Sequence, residues 1–246
     1  MNLLEALSYP QLERLAPNST LIFGVGATEQ HGPHLPVSTN SIITNALASS
    51  LAKLRADRVV LAPPINFGSS EEHSSFCGTI SLGNELLERV LIQVARSAKQ
   101  FYGVGFVTAH GGNANVIAQV AASLTTESQR VFAWWPTFSA LTEAAFKWSG
   151  PGDSPGLEHP DLHAGRTETS AMLALSPTLV KMEKIVSGPL LDLDDVSHEK
   201  SAFDMQMISG NGVLGDPHGA SASEGSAIMG ALTDSMLRAF DNYLHR

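Results

Sequence analysis

Cysteine is almost absent: Cys77 is the only one among 246 residues. A single thiol excludes a disulfide framework and suits a reducing compartment, so a cytoplasmic location is expected. No apolar run reaches the roughly 18 residues that a membrane-spanning helix requires. The opening MNLLEALSYPQLERLAP carries charges throughout and lacks an apolar run with a cleavage site, so no signal peptide is expected. Charge is scarce as well, at 16% of residues against roughly 25% in typical soluble domains. What charge there is leans acidic, with 15 Lys and Arg against 24 Asp and Glu and a net charge of −9. That balance argues against nucleic acid or an anionic membrane as a partner. In place of charge, 43% of the chain is hydrophobic, enough to bury a sizeable core and to exclude disorder over most of its length. One domain over residues 1–246 is expected. The low charge also hints at surface covered in a homo-oligomer.

Short apolar runs alternate with stretches of helical period. Residues 2–16 read as helical pieces split at Pro10. TLIFGVG (20–26), RVVLA (58–62), VGFVTA (104–109) and RVFAW (130–134) read as strands, the first ended by glycine and the second by two prolines. Helices are expected over 40–54, after an N-cap at Asn84, over 115–127, and from 171 to 175. SGPGDSPGLEHP (149–160) is a loop. The alternation predicts an α/β fold: a mostly parallel sheet flanked by helices.

In such sheets ligands bind beyond the carboxyl ends of the strands, and the polar residues collect there. GATEQHGPHLP (26–36) follows the first strand and HGGN (110–113) the third, bringing Glu29, His31, His34 and His110 to one rim. Glu29 and His31 form an E-x-H pair, which on extended backbone points one way. A carboxylate beside an imidazole suits zinc, manganese or iron; hydrogen-bonded loop residues would look the same. The glycines of HGGN equally suit a tight turn. DLHAGRTETS adds Asp161, His163 and Glu168, although a glutamate in a first helical turn also answers the helix dipole. NGVLGDPHGA (211–220) reads as a turn-rich loop ahead of a cap at Ser221 or Ser223.

Together, GATEQHGPHLP, TAHGGN, DLHAGRTETS and GVLGDPHGASASEG resemble the creatininase (creatinine amidohydrolase) family over residues 18–240. LAPPINFGSSEEHSSFCGTIS (61–81) narrows the likeness to the creatininase-like peptidases of mycofactocin biosynthesis. The resemblance implies a two-metal amidohydrolase (Zn, Fe or Mn) packed as a homo-oligomer, a hexamer in many members. It implies Glu29 and His110 as ligands of one metal and His31 as a ligand of the other, with Glu168 the candidate for the remaining carboxylate ligand. In creatininase proper the last carboxylate stands two residues after the turn histidine, where this chain has Gly112, which argues against creatinine as the substrate. His163 matches the histidine near the scissile amide, a proton donor or oxyanion partner, and is assigned to catalysis with Glu168. His34, Asn113 and Trp135 are assigned to substrate binding, Trp134 and Trp135 lying where creatininase has an aromatic wall or, alternatively, where a strand end needs core aromatics.

The chain departs from the family at one ligand. The bridging aspartate expected eleven residues after Glu29 is Asn40, one neutral oxygen in place of two charged ones. Its ligation of the second metal is expected to be weak. An introduced change, a one-metal enzyme and an inactive homologue all remain open. Hydrolysis of an amide C–N bond in a short peptide is the leading expectation, followed by a cyclic amide or formamide as substrate, and then by a silent metal-binding homologue. No Gly-x-Ser-x-Gly elbow or phosphate loop competes.

Overall fold

The strand-like runs pair as one parallel sheet. In the computed structural model, which describes residues 1–137, 161–191 and 204–245, it comprises β1 (Asn2–Leu3), β2 (Thr20–Gly24), β3 (Val59–Leu61), β4 (Gly103–Val107) and β5 (Val131–Trp134). The strand order is β1-β3-β2-β4-β5. Thr20 stands opposite both Val59 and Gly103, and Val104 opposite Val131. Every residue of β2 and β4 is buried, which explains why those runs are continuously apolar and do not alternate.

The main helices are α1 (Tyr9–Leu15), α2 (Thr39–Leu54), α3 (Gly83–Ser97), α4 (Gly111–Thr126), α5 (Arg166–Leu175), α6 (Met205–Ile208) and α7 (Ala222–Leu244). Two cores flank the sheet. Leu21, Phe23, Val104 and Phe106 pack with Leu87 and Leu91 of α3 and Ile117 and Val120 of α4. On the other face Ile22, Val107 and Phe132 pack with Leu47 of α2, Met172 of α5 and Phe240 of α7. Gly103 and Gly105 in β4 make the second core possible, because a Cβ at either would overlap the Tyr243 hydroxyl or the Ile22 side chain. Among the described residues no helix is long and apolar enough to cross a membrane.

Three element readings are corrected. Residues 2–3 form an edge strand, and α1 has Pro10 within its first turn, where the missing N–H is not needed; Gln11 Oε1 accepts from the Ser8 amide at 2.8 Å. Asn84 lies inside α3 and not at its cap, its Oδ1 accepting from Ser69 Oγ at 2.7 Å. HGGN is not a free turn: His110 is the N-cap of α4 and Gly111 its first residue. The loop expected at 149–160 lies outside the described residues.

From β2 the chain crosses to β3 on one side, and β4 lies on the other. The connections diverge there, beyond the carboxyl ends of β2 and β4, where sheets of this kind place their ligands.

Candidate metal centre

Glu29 lies just beyond β2, fully buried. Its Oε2 accepts from Ser70 Oγ at 2.5 Å. Its Oε1 is 2.7 Å from Asn40 Nδ2, 3.3 Å from His110 Nδ1, 3.8 Å from His163 Nδ1 and 3.9 Å from His31 Nε2. Glu168, in the first turn of α5, places Oε1 3.4 Å from His31 Nε2, while its Oε2 accepts from the Ala164 N–H at 2.7 Å. That bond needs Ala164 in the left-handed region, at φ 54°, which is uncommon for a residue with a Cβ. His163 is held by backbone pairing with Leu214, whose N–H donates to the His163 carbonyl at 2.8 Å. Asp161 stands apart from the ligand atoms and accepts from the Thr167 N–H at 2.5 Å, pinning the start of α5.

Three imidazoles share one arrangement. His31 Nδ1 meets the Glu29 carbonyl at 3.2 Å, His110 Nε2 the Ser69 carbonyl at 2.7 Å, and His163 Nε2 the Gln30 carbonyl at 2.8 Å. A carbonyl only accepts, so each of those nitrogens carries hydrogen in the neutral ring and the opposite nitrogen carries the lone pair. All three opposite nitrogens face Glu29 Oε1. Metal-binding histidines are oriented in this manner. Among the described residues His31 Nε2 is buried without a hydrogen-bond partner, a costly state for a lone pair unless something else satisfies it. It lies 3.4 and 3.9 Å from two carboxylate oxygens. Tetrahedral bonds of 2.0–2.2 Å would set donors about 3.3–3.6 Å apart; His31 and Glu168 already stand at that spacing, and Glu29 Oε1 is a few tenths of an ångström beyond it. Glu29, His73 and His163, and likewise His31, His163 and Glu168, bring ligand atoms within 4.8 Å of one another.

The electrostatics follow from burial and mutual charge. Burial would raise both carboxyls, but His110, with His31 and His163, holds Glu29 well below the usual range, and His31 brings Glu168 down to about 2. Burial opposes a charged His31, yet Glu168 and Glu29 raise it. His163 is lowered to about 4 by burial and by His31, and His73 to about 3 by burial and by His163. Burial works against His110 too, and Glu29 raises it to about 9. The Asn40 amide stands 3.1 Å from the same Nδ1; in the neutral ring Nε2 donates to the Ser69 carbonyl and Nδ1 accepts from Asn40.

Glu29, His31, Asn40, His110, His163 and Glu168 therefore come together. Two of the expected site residues are engaged by other groups. Asn40 turns its NH₂, not its oxygen, toward Glu29 and His110, and a donor hydrogen cannot ligate a metal. Asn113 is fully buried with its amide spent on backbone: Nδ2 donates to Val25 and Gly26 at 3.1 and 3.0 Å, and Oδ1 accepts from Ser69 at 2.9 Å. It brackets the strand ends and has nothing left for substrate. His34 is buried as well, with Nε2 2.9 Å from Thr169 Oγ1 on α5. Trp135 is partly buried against the α3–α4 core, and Trp134 is in the other core. The cap at Ser221 is present, accepting from Glu224.

Sequence reasoning missed Ser70, His73 and Gln30. Gln30 Nε2 lies 2.9 Å from His73 Nδ1 and 3.0 Å from the Gly212 carbonyl, tying three loops together. His73 stacks on His163 with ring centres 4.3 Å apart. The available signal was the polar run SSEEH, which follows a strand and so belongs to the same rim.

A family profile described as creatinine amidohydrolase (Creatininase) matches residues 5–240. The mycofactocin precursor peptide peptidase of Mycobacterium tuberculosis (strain H37Rv) is 35% identical over 237 residues, covering 93% of this chain and 86% of its own. That of Mycolicibacterium smegmatis is 34% identical over 229 residues, covering 91% and 84%. Among solved structures, one described as creatininase Mn superposes with TM-score 0.82 at 20% identity, covering 98% of this chain and 97% of its own.

Proposed function

We propose, for a chain that belongs to the creatininase family, hydrolysis of an amide C–N bond in a short peptide with the help of divalent metal. Relatives named as peptidases at about 35% identity support the peptide as the substrate class. The observation that carries the reading is the convergence of three imidazole lone pairs on Glu29 Oε1, each ring anchored behind by a backbone carbonyl.

Glu29, His31 and Glu168 are the proposed ligands, with His110 facing the other side of the same Glu29 carboxylate. Mixed imidazole and carboxylate donors suit zinc, iron or manganese. A bound divalent ion supplies Lewis acidity, polarising a carbonyl and lowering the pKa of water from 15.7 to about 7. The remaining work falls to the chain. His163 holds Nδ1 bare and, at about 4, is neutral at physiological pH. It therefore begins as an acceptor: Nδ1 takes a proton from the attacking water as the new C–O bond forms, then returns it to the amine nitrogen as the C–N bond breaks. The Nε2–H bond to Gln30 stops the ring from turning away. Burial of Glu29 and His31 strengthens every charge interaction among them. Trp135 and His34 are the remaining proposed substrate contacts. A homo-oligomer is proposed too, supported by exposed apolar side chains such as Tyr9, Phe67 and Ile80.

The test is a panel of short peptides, creatinine and formamides, incubated with metal-stripped and metal-reconstituted protein. Peptide cleavage that vanishes with a chelator and returns with metal is expected. Cleavage of creatinine alone, or undiminished cleavage after stripping, would overturn the reading.

A further inference from the structure

Asn40, in the first turn of α2, places Nδ2 2.7 Å from Glu29 Oε1 and 3.1 Å from His110 Nδ1. One NH₂ has two hydrogens, and here it has two acceptors. His110 Nε2 is committed to the Ser69 carbonyl at 2.7 Å, so Nδ1 is the accepting nitrogen. The other Glu29 oxygen, Oε2, already accepts from Ser70 Oγ at 2.5 Å. The two atoms a cation between Glu29 and His110 would require are thus already served by hydrogens of the protein itself. Asn40 Oδ1 is left buried without a hydrogen-bond partner. Turning the amide over would relieve that atom but press it against the Glu29 carboxylate, acceptor to acceptor, a worse contact.

The other side of Glu29 differs. His31 Nε2 has no hydrogen-bond partner and stands 3.4 Å from Glu168 Oε1, whose companion oxygen is held by the Ala164 N–H at 2.7 Å. Among the described residues no amide or hydroxyl hydrogen bonds to His31 Nε2. We infer that the chain carries a single tightly held ion, on His31 and Glu168 beside Glu29 Oε1, and that the Asn40 amide takes the place of a second cation between Glu29 and His110. The inference rests on reading this rim as a metal centre. His110 then acts as a positioning residue, holding Asn40 and through it Glu29. An aspartate at position 40 would bring no hydrogens and one more negative charge, so the Glu29–His110 position would need a cation again.

Metal-stripped protein is titrated with Co²⁺ and separately with Zn²⁺, then freed of loose metal. Ions per chain are counted by elemental analysis, and visible cobalt absorption is followed to saturation. One ion per chain is expected, with absorption complete at one equivalent. His110→Ala should still hold one, His31→Ala or Glu168→Gln none, and Asn40→Asp two. Circular dichroism shows which variants fold, and the wild-type count needs no variant at all. Two ions on the wild-type chain would overturn this inference and leave the metal centre standing. So would an ion lost in His110→Ala but kept in His31→Ala. A folded wild-type chain that takes up no ion would overturn both.

Discussion

His163 acquires its role from what lies behind it. The Gln30 carbonyl fixes the hydrogen on Nε2 at 2.8 Å, and only then is Nδ1 the atom that meets the reacting water. His163→Ala should lower kcat/KM roughly 10²- to 10⁴-fold, the usual worth of a positioned acid–base group. Steady-state kinetics beside a thermal melt checks it; a loss of activity matched by loss of the fold would mean that the ring is structural. Ser70 acts one step further out, turning a flexible carboxylate into a one-oxygen ligand. Ser70→Ala should weaken metal affinity about 10- to 100-fold, as loss of a ligand's supporting bond commonly does. Ser70→Thr, which keeps the hydroxyl, should restore much of it. Chelator competition measures both, and unchanged affinity in the alanine variant would count against the role.

At the scale of elements, α5 carries Glu168 and is placed by α7. Gly225 of α7 lies so close to Ser170 that a Cβ would overlap the Ser170 carbonyl. The contact is tied by buried Glu224, which accepts from Arg166 Nε at 2.9 Å and Ser170 Oγ at 2.6 Å. Gly225→Val should force the helices apart, with the roughly 1–3 kcal/mol cost usual for overpacking. A denaturant melt reads that cost, and reduced metal affinity should accompany it because Glu168 moves with α5. Stability equal to the wild type would show that the crossing is less tight than it looks. No local pattern announces this crossing, since Gly225 in SASEGSA reads only as a weak helix position. Apolar period marks β2 to β5 and the helices α2 and α3, but not the edge strand β1, and α4 begins four residues before its apolar pattern. Two glycines look like a turn until Asn113 anchors them to the ends of the sheet.

For the whole molecule, the packed histidines set an acid limit on the metal-free protein. His163 and His73 are lowered in the folded state to about 4 and about 3, from the ordinary 6.5. The unfolded chain therefore takes up their protons first as pH falls. Stability from these rings is complete above 6.5 and is lost progressively toward 4 and 3. Glu168, lowered from 4.5 to about 2, adds a loss in the same direction below 4.5. His31 is raised and works oppositely, its contribution complete below 6.5 and lost as pH climbs through its folded value. The Tm of stripped protein should fall as pH drops from 6.5 to 4, and His73→Gln should flatten that slope. A Tm level across that window would contradict the burial argument.

The sequence by itself determined the α/β class, the parallel sheet, the rim and most of the converging residues, because apolar period and loop position are local properties of the chain. Glu29, His31, His110, His163 and Glu168 could be named from it. What only the tertiary structure decided is how each group is used. Which ring nitrogen is bare depends on carbonyls at Glu29, Gln30 and Ser69, two of them supplied by loops distant in the chain. The direction of the Asn40 amide depends on a carboxylate eleven residues before it and an imidazole seventy after it. Hydrogen bonds fix tautomers and amide faces through contacts that no sequence spacing records, and this centre is built from those contacts.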